Sequence, residues 1–257
     1  MEKAEIKDKD FVLEIGPGHG ALTERIVNKV DKLTAVEIDR DLVTELEEKF
    51  KDNSKINIIS QDILKFNLKE LDISNYNLEN RKAIGNIPYY ITTPIIMKFI
   101  GEDNLKVHGI TKTEQMFSEL IIMMQKEVGE RIVAQAGTKE YGALSVICQY
   151  ACEIKILVNV NRRCFYPVPN VDSVVISFKM KTEDEYNIDN PSIFWRIVQG
   201  VFVSRRKTLR NSLKIAGFSD ETVNKVSNEY DLNKRGETLD LNGFSELSNL
   251  VSRVNKQ

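Results

Sequence analysis

Short apolar runs alternate with helically spaced apolar positions along most of the chain. Phe11-Val12-Leu13-Glu14-Ile15 is bounded by charge and glycine and predicts a buried strand. Gly16-Pro17-Gly18-His19-Gly20 then forces a tight turn. Leu22, Ile26, Val27 and Val30 place a helix over Ala21–Val30. Leu33–Ile38 predicts a second strand, and Leu42, Leu46 and Phe50 a second helix. Ile56–Ser60 and Ala83–Gly85 predict a third and fourth strand. Thr93 is placed to cap a helix with Pro94 at its first position and Ile95, Ile96 and Phe99 behind it. The polar segment Gly101–Glu119 predicts a loop. Leu120–Met124 predicts a strand, and Gln125–Gln135 and Ala143–Ala151 two helices. Ile154–Val160 and Val174–Met180 alternate and predict a closing antiparallel pair.

Strands alternating with helices imply an α/β fold with a doubly wound, mainly parallel sheet. The strand ends carry Glu14, Glu37, Asp62 and Asn86, spaced 23 to 25 residues apart. Ligands bind at the carboxyl ends of such strands, so these four side chains share one candidate rim. Lys181–Ser192 is acidic, ends in Asn190-Pro191 and predicts a linker. Beyond it, Phe194, Ile197, Val198, Val201 and Phe202 recur at helical spacing, and Ala216-Gly217 and Arg235-Gly236 predict helix stops. The expected domains are therefore 1–185, carrying the sheet, and 186–257, small and helical.

The charge distribution refines this picture. The net charge is −2, so a global basic field is absent and a nucleic-acid site must be a local patch. Residues 192–257 carry 11 basic and 7 acidic side chains, against 25 and 31 in the rest of the chain. Cys148, Cys152 and Cys164 are an odd, sparse set, which points to a reducing compartment and no disulfide framework. With only His19 and His108 present, no metal site is expected. The charged start of the chain and the lack of a long apolar run predict a cytoplasmic protein without a membrane span.

Two features carry chemistry. Gly16, Gly18 and Ala21 fit a dinucleotide loop, with Glu37 where an acid would hold a ribose. Residues 11–39 alone thus suit a nicotinamide dehydrogenase. They also suit S-adenosylmethionine, whose cationic amino-acid moiety replaces the pyrophosphate. Glu14 is awkward beside a pyrophosphate but favourable beside that cation. The second feature, Asn86-Ile87-Pro88-Tyr89, follows the fourth strand. Proline keeps Ile87 extended and stiffens the turn. Asn86 Oδ1 and the Ile87 carbonyl can accept both hydrogens of a planar amine while Tyr89 stacks on its ring. A dehydrogenase has no use for that set, whereas an amino-methyltransferase does. Two acceptors on the amine hydrogens favour a pyramidal nitrogen with its lone pair free.

Several segments together carry a resemblance: Glu14-Ile15-Gly16-Pro17-Gly18-His19-Gly20, Gly85-Asn-Ile-Pro-Tyr-Tyr-Ile-Thr-Thr-Pro94, Gln125-Lys-Glu-Val128, Tyr141-Gly-Ala-Leu-Ser145, Phe165-Tyr-Pro-Val-Pro-Asn-Val-Asp-Ser173 and Arg205-Arg-Lys-Thr-Leu-Arg-Asn-Ser-Leu213. In this order the chain resembles the KsgA-type ribosomal small-subunit adenine dimethyltransferases. The resemblance implies a Rossmann-like methyltransferase domain that uses S-adenosylmethionine on ribosomal RNA in the immature small subunit, working as a monomer. It implies that Gly16 and Gly18 line the donor pocket, that Glu37 holds the ribose hydroxyls and that Asp62 meets the donor's adenine amine. Asn86 would bridge donor and target, Tyr89 would stack on the target adenine, and Phe165 would close its other face. Arg205, Arg206, Lys207 and Arg210 would contact RNA phosphates. Family members usually begin with a Gly-Gln-Asn-Phe-Leu-like segment some thirty residues before the glycine loop. Here ten residues precede Phe11, so the chain is expected to be short at its N-terminus. Two alternatives stay open: a resistance-type enzyme acting on large-subunit RNA, and an assembly factor that uses this fold without turnover.

Overall fold

The computed structural model describes residues 2–110 and 115–255. Seven strands form one sheet: β1 (Phe11–Ile15), β2 (Lys32–Glu37), β3 (Ile56–Ser60), β4 (Arg81–Asn86), β5 (Glu119–Gln125), β6 (Cys152–Val160) and β7 (Ser173–Met180). Their spatial order is β3-β2-β1-β4-β5-β7-β6. The first five are parallel, and β7 runs antiparallel to β5. Every residue of β1 is buried, as expected of a central strand covered on both faces.

Winding starts in the middle of the sheet, goes outward through β2 and β3, and returns to β4 on the other side of β1. This reversal puts a switch point between β1 and β4, where a crevice opens at the strands' carboxyl ends. Register aligns the tips: Ile15 lies opposite Gly85, Glu37 opposite Ser60 and Asn86 opposite Met123. Gly85 permits the close approach at the switch point. A Cβ there would sit 3.1 Å from the Ile15 carbonyl and 3.2 Å from the Ile15 Cβ. One cluster of the core joins Val12, Leu33, Ile84 and Ile121 of the strands to Ile26, Val27 and Val30.

The helices are α1 (Thr23–Val27), α2 (Arg40–Phe50), α3 (Thr92–Ile100), α4 (Glu102–His108), α5 (Lys126–Val133), α6 (Ala143–Ala151), α7 (Pro191–Val203), α8 (Leu209–Ile215), α9 (Asp220–Ser227) and α10 (Leu241–Asn255). Four differ from expectation. The first is shorter than Ala21–Val30: it ends at Val27, with Asn28 as its C-cap. The third begins at Thr92, so Pro94 is its third residue; a proline is tolerated there because the first N–H groups of a helix lack intrahelical partners. The expected loop Gly101–Glu119 contains α4. Its polar composition hid it, since among its named side chains Leu105 is the buried apolar one, while Glu102 and Lys106 pair one turn apart. Residues 111–114 of that loop lie outside the described residues. Finally, α9 ends at Ser227, and Gly236 opens a short 3₁₀ turn rather than stopping a helix.

The described residues form two compact units, one within 1–100, 115–129 and 153–180, the other within 101–114, 130–152 and 181–257. The contacts thus divide the chain otherwise than at the expected boundary after residue 185. In the second unit α7 packs on α4, α6, α8 and α10. Tyr150 of α6 lies 5.4 Å from the Phe194 ring and 5.8 Å from the Trp195 ring. Trp195 Nε1–H donates to the Leu105 carbonyl. The apolar stripe of α7 is therefore covered by α8 and α10, which follow the linker, and also by α4 and α6, which precede it.

Candidate active site

Glu14 sits one residue before the end of β1 and is 1% exposed. Its Oε2 has no hydrogen-bond partner. Burial pushes its pKa up to about 7; the Thr23 hydroxyl lowers it somewhat, and the Glu37 carboxylate raises it further. A buried carboxyl with an unused oxygen suits a ligand that brings positive charge and N–H donors.

The glycine loop crosses above it. Gly16 N–H donates to the Val36 carbonyl, and Gly16, Gly18 and Gly20 all have positive φ. At Gly18 (φ +59°) that conformation turns its N–H toward Glu37, and it donates to Oε2 at 3.1 Å. Lys49 of α2 donates to the His19 carbonyl and pairs with Glu24, while His19 meets Glu45. The loop is thereby tied to α2.

Glu37 ends β2, is buried, and is more occupied than its sequence context suggests. Oε1 accepts from the Ile38 and Asp39 N–H groups at 2.8 and 3.1 Å, and Oε2 from Gly18. A carboxylate offers about four acceptor positions. One on Oε2 is left, enough for a single hydroxyl while Gly18 stays in place. Glu37 thus stands where the expectation placed it, with part of its accepting capacity already used by backbone N–H groups.

Asp62 lies two residues beyond β3. Its Oδ1 accepts from Leu64 N–H at 2.9 Å, leaving Oδ2 open. Lys98 of α3 braces this turn by donating to the Leu64 and Phe66 carbonyls at 3.2 and 2.8 Å. Desolvation lowers the Lys98 pKa, and Asp62 counters part of that. Sequence reasoning missed Lys98; the available signal was one cation inside the apolar run from Ile95 to Ile100.

The turn after β4 supplies the second half of the rim. Asn86 is exposed, Ile87 is buried, and Tyr89–Ile91 forms a 3₁₀ turn. The Tyr89 hydroxyl and Ser173 Oγ share a 2.7 Å hydrogen bond. That bond fixes the ring against the segment containing Phe165. A cleft of about 250 Å³ results, lined by Asn86, Pro88 and Tyr89 on one side and Phe165, Tyr166 and Pro167 on the other, with Met123 at β5. Residues some eighty positions apart thus form an open slot with an amide and three aromatic rings. A larger cleft of about 640 Å³, lined by Phe11, Lys32 and Ile56 among others, contains none of the residues singled out above.

The family model for ribosomal RNA adenine dimethylases matches residues 1–247. The chain belongs to that family. It is 40% identical to Ribosomal RNA small subunit methyltransferase A of Clostridioides difficile, over 98% of this chain and 84% of that protein. It is 38% identical to the protein of the same name from Fusobacterium nucleatum, over 96% and 88% respectively. Its fold is similar to the crystal structure of a dimethyladenosine transferase from Plasmodium falciparum, with a TM-score of 0.79, 24% identity and coverage of 99% of this chain and 94% of that one. The structure of the 23S rRNA methyltransferase ErmE is also similar, with a TM-score of 0.67, 22% identity and 98% and 94% coverage.

The four side chains of the basic run after α7 stand in different surroundings. Arg205, Arg206 and Lys207 lie in the turn between α7 and α8, not on a helix, and Arg210 is in α8. Arg205 is half-buried. It pairs with Glu237 at 3.3 Å and donates to the Thr138 and Lys139 carbonyls. Arg210 donates to Asn224 Oδ1. Arg206 and Lys207 are exposed, and neither makes a side-chain hydrogen bond or ion pair among the described residues. Of the four expected phosphate contacts, Arg205 is ion-paired with Glu237, Arg210 is hydrogen-bonded to a neutral amide without an ion pair, and Arg206 and Lys207 have neither. No group of three or more potential metal ligands and no helix long and apolar enough to cross a membrane occurs among the described residues.

Proposed function

We propose that this chain transfers methyl groups from S-adenosylmethionine to the exocyclic amine of adenines in small-subunit ribosomal RNA, forming dimethyladenosine. Family membership and the names of relatives at about 40% identity support the reaction and substrate class. The observation that carries the mechanism is the slot that joins Asn86, Tyr89 and Phe165 beyond the carboxyl end of β4.

The donor site fits S-adenosylmethionine by its own chemistry. Glu14 offers a buried, unpartnered oxygen to the cationic amino-acid end. The free position on Glu37 suits a ribose hydroxyl, and Asp62 Oδ2 suits an adenine amine. Gly16 and Gly18 keep the loop close without side chains in the way. When bound, the donor supplies a methyl group on a sulfonium, already a strong electrophile. The chain's task is then to prepare the nucleophile.

Tyr89 and Phe165 hold the flipped adenine between two rings. Asn86 Oδ1 and the Ile87 carbonyl accept the two amine hydrogens and favour a pyramidal nitrogen. The methylated nitrogen then loses its proton to water, so no strong general base is required. A second transfer needs one of the two acceptors, because one hydrogen remains. Arg206 and Lys207 hold phosphates and orient the RNA. We assign the sheet-bearing part, 1–185, to donor binding and chemistry, and the helical part, 186–257, to RNA contact. The substrate is RNA in an immature small subunit, met in the cytoplasm by a monomer.

The deciding experiment incubates the protein with S-adenosylmethionine and small subunits lacking the modification, then digests the RNA for mass spectrometry. A parallel incubation uses large subunits lacking the modification; dimethyladenosine in small-subunit RNA, and none in large-subunit RNA, is expected. Donor binding without any methylated product would overturn the enzymatic reading in favour of an assembly factor. Product in large-subunit RNA alone would overturn the substrate assignment.

A further inference from the structure

Tyr166 lines the same slot, yet its side chain is 100% exposed. Its neighbours in sequence have defined places: Phe165 is half-buried, and Pro167 and Pro169 line the slot as well. The loop carrying Tyr166 is stapled to itself. Asn161 Oδ1 accepts from Arg163 N–H, and the Asn161 carbonyl from Cys164 N–H. Phe165 N–H donates to the Arg162 carbonyl at 3.2 Å. Arg162 donates from its backbone to Asp172 and from its side chain to the Asn170 carbonyl. Arg162 and Asp172 are thus committed to holding the loop. Arg163, one turn before Tyr166, is exposed and makes no side-chain hydrogen bond or ion pair among the described residues.

A rigid backbone thus presents one unpacked aromatic ring at the slot for the target base and one unpaired guanidinium three residues before it. The ring gains nothing from the fold, so its exposure calls for a partner. We infer that Tyr166 and Arg163 form a second nucleotide subsite: Tyr166 stacks on the base next to the target adenine, and Arg163 holds that nucleotide's phosphate. Flipping the target removes a stacking partner from its neighbour, and an exposed ring at the rim replaces it. Because the loop is already ordered, little conformational freedom is lost on binding. The slot continues from Phe165 directly to Tyr166, so one strand of RNA can occupy both subsites. The inference rests on the functional reading above, since the base in the first subsite is the proposed target.

The test measures steady-state methyl transfer to unmodified small subunits at saturating S-adenosylmethionine for wild type, Tyr166→Ala, Tyr166→Phe and Arg163→Gln. Calorimetric donor affinity serves as the control for folding. Tyr166→Ala should raise KM for the subunits about tenfold with kcat within about twofold, and Tyr166→Phe should restore KM. Arg163→Gln should lower the log–log salt slope of subunit binding by about one. An unchanged KM for Tyr166→Ala, a fall in kcat alone, or a Tyr166→Phe variant as impaired as Tyr166→Ala would overturn the stacking subsite. An unchanged salt slope would overturn the role of Arg163. If wild type itself methylates no subunit, the functional reading falls and this inference with it.

Discussion

Glu14 shows how burial changes the task of a single side chain. Its folded pKa of about 7 lies above its ordinary 4.5. The preference for the protonated form is therefore fully present below pH 4.5 and is lost as pH rises through 7. Above pH 7 the free protein bears a buried charge costing up to roughly 3 kcal/mol. Glu14→Gln should accordingly stabilise the donor-free protein at pH 8 and change little at pH 4.5, while weakening donor binding at pH 8. Urea unfolding at the two pH values, with calorimetry at the higher one, checks both parts; a variant less stable than wild type at pH 8 would mean that packing, not charge, dominates there. Asn86 is an exposed counterpart. Asn86→Ala should cost little stability but lower single-turnover transfer at saturating donor and RNA by roughly a hundredfold, by analogy with deleted oxyanion donors. A rate within about threefold of wild type would remove the turn from the chemistry. The presence of Glu14, Glu37, Asp62 and Asn86 on one rim was legible from strand spacing alone. Their partners were not: a sequence does not reveal that backbone N–H groups already occupy most of Glu37, or that Lys98 braces the turn behind Asp62.

At the level of elements, buried strands were the most legible because both faces are covered and the apolar runs are continuous. The helix α4 was missed because it buries chiefly Leu105 on a short polar frame. The turn joining α7 and α8 was legible as basic but not in its division of labour. Arg205 closes that turn onto Glu237 and the 138–139 carbonyls, whereas Arg206 and Lys207 face solvent. Arg206→Ala combined with Lys207→Ala should therefore reduce the log–log salt slope of subunit binding by about two and leave thermal stability nearly unchanged. Arg205→Ala should do the reverse, lowering stability by about 1–3 kcal/mol through lost charge-assisted hydrogen bonds. Salt titrations and urea unfolding on the same variants separate the two roles; equal slopes for both variants would return the whole run to one function.

Across the whole molecule, the order of the chain and the order of packing diverge. The composition shift near residue 185 suggested a separable tail, because α7 to α10 carry their own apolar periodicity and a basic excess. Yet the second unit also draws on the stretches 101–114 and 130–152. Phe194 and Trp195, at 0% and 4% exposure, pack on Tyr150, and Trp195 donates to the Leu105 carbonyl. A fragment of residues 186–257 would lack Tyr150 and Leu105 and expose both rings. Losing the packing of one large aromatic costs about 3–5 kcal/mol, comparable to the total a core of that size supplies. The isolated fragment should therefore keep some helical circular dichroism but lose cooperative urea unfolding. Trp195, the single tryptophan, reports this directly: its emission should be that of an exposed indole in the fragment and of a buried one in the full chain. A sigmoidal transition with buried Trp195 emission would show that 186–257 closes its own core, and the boundary read from composition would then be the physical one.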